Sequence, residues 1–466
     1  MISTLIAAHG ILQKGTTEVT VYNQGMGFIK DIRSVKLAKG HQNIVIEDVA
    51  QLIDATSVGF KCLSNPGSVS VLEQNYQYDL ISPEAILQKS VGKKIRFTRA
   101  VGDTKESIEG VLLSSPTSVV NTGQGSEYSY NGLVIKADDG RIILSPQGEI
   151  EVLEIPEGLI SKPSLLWEVD SAEDQEAKME LSYLTGGLSW NANYVLTLGD
   201  KGVGDLQGWV TLNNQSGYSF TDATLKLLAG DVNVVNEGQL RFRKQKNELA
   251  SLGGRLSNGF AEESFFEYHL YTLDRPATVR NKENKQLSLL EGLNVPVRKV
   301  LSFEGWANMD GGQTDWVDQA AKVTVKFVNA EKSHLGMPMS AGKVRLYQRD
   351  NKGSVQFLGE DQIQHTPRDE KLSLNVGKSF DVKASRKRTN YTKIGKNSSR
   401  SSFEIEVRNR KQEDATVYLY EHESGSWKIV SKSDNFVKED SNTIVFELKL
   451  KAGEVKTVKY TTESRW

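Results

Sequence analysis

The chain has 466 residues, 38% of them hydrophobic, 25% charged and 8% aromatic, which is too apolar for intrinsic disorder and too polar for a membrane-embedded protein. Lys plus Arg number 57 and Asp plus Glu 59, so no global charge draws the molecule toward nucleic acid or an anionic membrane. At roughly 150 residues per domain the length allows about three domains, each able to bury a core.

Leu5, Ile6, Ala7 and Ala8 form the apolar stretch at the start. They lack the basic flank and longer apolar core of a signal peptide, so an export leader is either absent or already removed. No window approaches the ~18 apolar residues of a membrane helix. From there period-two alternation dominates, the mark of strands with one face on a core, and it predicts an all-β protein built of β-sandwiches. Residues 1–81 are read as an N-terminal β region containing the one cysteine, Cys62, which excludes a disulfide framework and Cys-paired zinc. Residues 82–156 are read as a small barrel led by a helix. Ser82 caps it, Pro83 suits its first turn, Glu84 favours the positive end of its dipole and Gly92 ends it. Five short strands follow, at Ile95 to Phe97, Ile108 to Leu113, Leu133 to Ile135, Ile142 to Leu144 and Ile150 to Leu153. This order is similar to the Sm-like RNA-binding barrel, yet acidic side chains outnumber basic ones across it, which argues against phosphate binding.

A central β-sandwich is expected over 157–365, interrupted by a mobile loop at 236–263 that mixes Gly253, Gly254 and Gly259 with Arg241, Arg243, Lys244 and Lys246. An immunoglobulin-like β-sandwich is expected over 366–466, where Phe403, Ile405, Val407 and later Ile444, Phe446, Leu448, Leu450 alternate. Val210, Leu212, Asn213 followed by Asp222 to Leu227 echoes Val407, Asn409 followed by Asp414 to Leu419, and Val323, Val325, Phe327, Asn329 is a looser third instance. Such an echo arises from true repetition or from shared hairpin chemistry.

Catalytic motifs fail on spacing. Gly377-Lys378-Ser379 lacks the earlier glycine of a phosphate loop, with Leu372 in its place. Gly202, Gly204 and Gly208 miss the dinucleotide pattern, and His422-Glu423 is followed by Ser426 where a zinc protease needs its second histidine. No metal or cofactor is nominated. Of the six scattered histidines, His269, between Tyr268 and Leu270-Tyr271, is the one singled out. The most uneven charge is Lys383, Arg386, Lys387, Arg388, Lys393, Lys396 and Arg400, with Tyr391 among them and no acid. The run is read either as an anion-binding stretch or as a hairpin whose lysines deter edge pairing.

The strings Tyr183 to Trp190, Gly208 to Asn214, Ala229-Gly230-Asp231-Val232-Asn233, Phe265 to Tyr271 and Val407 to Arg410 resemble the bacterial domain of unknown function 4139 family, distantly similar to mucoidy inhibitor A. Val19 to Asn23 extends the match to the N-terminal region. The resemblance implies a bacterial protein placed outside the cytoplasm, in the periplasm or beyond; a cytoplasmic member is the alternative. It supplies no catalytic residue. Trp190 and Trp209 are expected to anchor the core on alternating strands, or, with His269, to form a ligand surface. Gly186 and Gly187 are expected at a bend.

The function expected from this reading is non-catalytic binding or scaffolding in the bacterial envelope, with an unidentified protein or glycan partner and no strong nucleic-acid signal. Two alternatives stay open. One is a hydrolase whose acid and base are carboxylates from separated strands, favoured by a deep cleft holding two carboxylates or by a carboxylate beside His269. The other is polyanion binding through 382–400.

Overall fold

The computed structural model describes residues 13–465 apart from 79–80, 102–103, 115–116, 123–124, 131, 147, 155, 157–158, 161, 234–258 and 308–313. The apolar stretch at Leu5–Ala8 and the expected loop up to residue 258 lie outside these. From Phe260 onward the segment is a strand. The expected all-β class is found: among the described residues one short α-helix, Pro83–Lys89, stands among strands. No helix there is long and apolar enough to cross a membrane.

Alternation builds the first sheet. In Met26–Leu37 every second residue is buried, including Ile29, Asp31, Arg33, Val35 and Leu37. This strand lies antiparallel between Gln13–Tyr22 and Gln175–Gly186. Beyond Gln13–Tyr22 come Phe220–Ala229, parallel to it, then Tyr268–Leu273 and the edge strand Phe260–Phe265. A three-stranded sheet of Gly40–Ile46, Ser164–Ser171 and Val69–Gln77 accompanies it, and Trp167 of this sheet meets Phe60 edge-on at 5.3 Å. The central sheet runs Glu283–Pro296, Val203–Asn214, Leu188–Leu198, Gly342–Arg349, Val355–Ile363. These three sheets share one core, from Val19 through Trp190 and Leu227 to Leu374, so the N-terminal and central regions are packed as one body. Gly187 turns the chain between two of its strands with φ +75°, where a Cβ would strike Gln215 at 2.7 Å.

The five-stranded unit read as a barrel is looped out between neighbours, and its strands pair in an open order. Gln77 pairs with Ser164, so residues between them leave the sheet and return beside their point of departure. Its helix begins as expected, with the Ser82 hydroxyl accepting the Ala85 amide at 3.1 Å. Five strands run in the order Ile142–Leu144, Val134–Ala137, Thr104–Leu112, Lys94–Val101, Glu149–Val152 around a core of Ile95, Phe97, Leu112 and Ile135. A hairpin of Thr117–Thr122 and Gly125–Tyr130 is added, which alternation did not single out.

The C-terminal part differs from a two-sheet sandwich beginning near 370. Nine strands form one hydrogen-bonded sheet: Ser426–Lys432, Val455–Arg465, Ser398–Asn409, Lys371–Gly395, Trp316–Val328, Arg298–Trp306, Ala415–His422, Thr443–Leu450, Val437–Lys438. Two of these strands, Arg298–Trp306 and Trp316–Val328, fall within the stretch read as central. The sheet curls until its two edges touch: Trp427 Nε1 donates to the Ser441 carbonyl at 3.0 Å, and Lys438 Nζ sits 4.6 Å above the Trp427 ring. Inside, Phe403, Ile405, Val417, Leu419, Phe446, Val458 and Tyr460 make a second core. The 25-residue strand Lys371–Gly395 joins both bodies, with Leu372 and Leu374 in the first core and Val382 and Ala384 in the second.

Candidate functional site

The strands at one end of the first sheet carry the residues of interest. Phe260–Phe265 and Tyr268–Leu273 form a hairpin whose two-residue loop is Phe266-Glu267. Glu262 pairs with Tyr271 and Ser264 with His269, and side chains two residues apart share a face, so Glu262 and His269 meet diagonally. Glu262 Oε1 lies 2.8 Å from His269 Nδ1. The Glu262 side chain is nearly covered while the imidazole is partly open. A carboxylate there accepts the Nδ1–H hydrogen bond, and in the neutral ring Nε2 then carries the lone pair.

His269 borders a hollow of about 450 Å³ that Gly230, Asp231, Phe266, Tyr268, Tyr271 and His365 also line. Gly230 ends Phe220–Ala229 with φ +144°, and a Cβ on it would come within 2.2 Å of Tyr268 Cδ1, so this position has no room for a side chain. Tyr271 forms the floor. It is fully buried, donates its hydroxyl to the Pro338 carbonyl at 3.0 Å, and burial raises its pKa well above the ordinary phenol value. Phe266 is the reverse: φ is +56° and the residue is 73% exposed. A bulky residue is rarely held in left-handed backbone, and such strain clusters at functional sites.

Trp190 stands behind this hollow. Its ring is buried, donates Nε1–H to the Leu228 carbonyl at 3.1 Å, and meets Tyr271 edge-on at 6.2 Å and 77°. It supports the floor from within the core, as expected of an anchor, and is no part of an open surface. Trp209 corrects the other half of that expectation. It pairs with Asn193 on the face opposite buried Val210 and Leu212 and is 37% exposed, so it neither anchors the core nor joins His269.

The basic run is divided by the same alternation. Lys383 and Lys387 point outward, and Lys387 Nζ pairs with Glu404 at 2.8 Å. Arg400 is on the outer face 3.5 Å from Glu463, and Lys396 is exposed at the hairpin tip. Arg388 and Lys393 pair in register with the inward residues Phe403 and Ser399, and Arg388 lies over the Tyr391 ring at 5.1 Å. Arg386 is buried within the roll, so the expectation that it binds an external anion is corrected. Its Nε and Nη2 donate to Glu421 at 2.7 to 3.1 Å, and its Cζ lies 4.0 Å from the Phe403 ring centroid. Burial opposes the charge of Arg386, but Glu421 and Tyr460 outweigh it and hold its pKa above the ordinary guanidinium range.

One residue of this interior escaped the sequence reading as a polar group. Glu423 is 3% exposed, and Oε1 has no hydrogen-bond partner among the described residues. Burial, with Glu421 adding to it, pushes the carboxyl up to about 7. Among the described residues no three His, Cys, Asp or Glu side chains are grouped to hold a metal ion. Compared with protein-family models and with curated proteins, the chain matches none.

Proposed function

We propose that this is a non-catalytic binding protein of the bacterial envelope and that the hollow beside His269 is its ligand seat. One observation carries the reading. Two of the strings on which the family resemblance rests, Ala229-Gly230-Asp231 and Phe265 to Tyr271, line a single concavity, and a strained, exposed aromatic stands at its rim. Small-ligand sites are concave, largely apolar and aromatic, with a few convergent polar groups. Placement in the envelope rests on the resemblance, and fractionation of the native cell tests it. The seat is tested by backbone NMR of the full chain titrated with soluble envelope oligosaccharides and peptides. Shifts at 229–231 and 266–271 are expected; shifts confined to other surfaces would remove the hollow from the account.

A second reading, hydrolysis, is favoured by the Glu262–His269 contact, since a carboxylate that orients an imidazole equips it as a general base. In that reading Nε2 takes a proton from water as its oxygen bonds to an ester carbonyl carbon, and the resulting imidazolium returns the proton to the alkoxide as the ester C–O bond breaks. Turnover of p-nitrophenyl acetate that disappears in His269→Ala would favour it over binding alone.

A further inference from the structure

We propose, resting on the reading of the hollow as a ligand seat, that its ligand is a neutral saccharide. One sugar ring packs against Phe266 and Tyr268 while its hydroxyls meet His269 and His365. The aromatic wall is the first reason. Phe266 and Tyr268 stand 6.2 Å apart, centroid to centroid, tilted by 48°, and Phe266 is held in left-handed backbone with most of its surface open. An aromatic side chain kept out of the core at a cost in backbone strain presents a flat apolar face to whatever enters, and the C–H face of a sugar ring is flat and apolar.

The two imidazoles are the second reason. His269 donates its Nδ1–H hydrogen bond to Glu262, and in the neutral ring this makes Nε2 an acceptor. His365 Nδ1 accepts the Ala341 amide at 3.3 Å, which places its proton on Nε2 as a donor. The hollow therefore has one imidazole acceptor and one imidazole donor on its wall. A hydroxyl both donates and accepts, and a polyol offers separate hydroxyls to the two rings, whereas an aromatic peptide side chain offers a single polar group at most.

Charge is the third. Asp231 and Glu267 line the hollow, Glu262 lies behind His269, and among the described residues no Lys or Arg lines it. These carboxylates weigh against an anionic ligand. The volume, about 450 Å³, falls within the range of small-ligand sites.

The test is saturation-transfer NMR on the full chain with three probes: N,N′-diacetylchitobiose, cellobiose and p-cresol, the last standing for an aromatic peptide side chain. Transfer to the ring C–H protons of a disaccharide is expected, with roughly tenfold weaker binding in Phe266→Ala and in Phe266→Gly. Phe266 is exposed and glycine relieves its backbone, so both variants keep the fold. Disaccharide binding that survives both substitutions overturns the proposal. Binding of p-cresol without either sugar overturns the saccharide while leaving the seat in place. No binding by any probe removes both.

Discussion

Arg386 and Glu421 face each other inside the C-terminal roll, Nη2 to Oε2 at 2.7 Å, with the Tyr460 hydroxyl donating to the same oxygen at 2.6 Å. Removing one member of a buried pair strands the other, at a cost of about 3–5 kcal/mol. Glu421→Gln should therefore lower stability by that order in urea unfolding. Replacing both, as Arg386→Met with Glu421→Leu, should recover most of the loss, because no buried charge is left behind. A double variant as weak as the single one would show that the pair specifies the packing of the roll.

Glu423 gives the roll a pH dependence. In the unfolded chain its carboxyl ionises near 4.5, while in the fold it keeps its proton to about 7. Folding thus takes up a proton between those values, so this contribution is full below about pH 4.5, declines as pH rises and is gone above about 7. The span is worth about 3 kcal/mol. Unfolding followed from pH 4.5 to 8 should show this decline in the native chain and a flatter profile in Glu423→Gln. Equal slopes in the two would place the titration elsewhere.

The two tryptophans of the central sheet should behave oppositely. Trp190→Ala empties a buried site and breaks the bond to the Leu228 carbonyl, a loss of about 3–5 kcal/mol. Trp209→Ala removes an outward-facing ring and should cost below about 1 kcal/mol. Iodide should quench the fluorescence contributed by Trp209 and not that of Trp190, measured as differences between each variant and the native chain.

Asn214, Asn329 and Asn409 are each fully buried at a strand end, and each amide nitrogen donates to two backbone carbonyls: Tyr218 and Val279, Met337 and Pro367, Glu413 and Lys451. Asn409→Ala leaves two carbonyls and the Lys411 amide without this partner and should cost about 2 kcal/mol or more in denaturant unfolding. Asn213, whose side chain is bonded to Asn284 on the exposed face, should tolerate Ala within about 0.5 kcal/mol.

These asparagines show how far the sequence could be read. The echo among three strand ends was visible, but the first instance was placed on Asn213, and only the pleat reveals that the buried equivalent is Asn214. Alternation likewise makes the all-β class legible, and the capping residues Ser82 and Pro83 locate the helix where that alternation breaks. It could not show that nine strands close into one roll, because pairing partners are fixed by packing between distant segments and not by local period. The basic run looked continuous on paper, yet a strand sends successive side chains to opposite faces, which buried Arg386 and left Lys387 outside. The Glu262–His269 contact was hidden for a different reason. Phe266-Glu267 is not a recognisable hairpin turn, and without the turn nothing in the sequence places residue 262 beside residue 269.

The most direct measurement of the ligand seat is nitrogen-15 NMR of the histidine rings in the full chain, free and with N,N′-diacetylchitobiose. His269 is expected to carry its proton on Nδ1 in the free protein, and its Nε2 resonance to move on binding, together with that of His365. A bound sugar that leaves both rings unchanged, or a free His269 protonated on Nε2 alone, would contradict it.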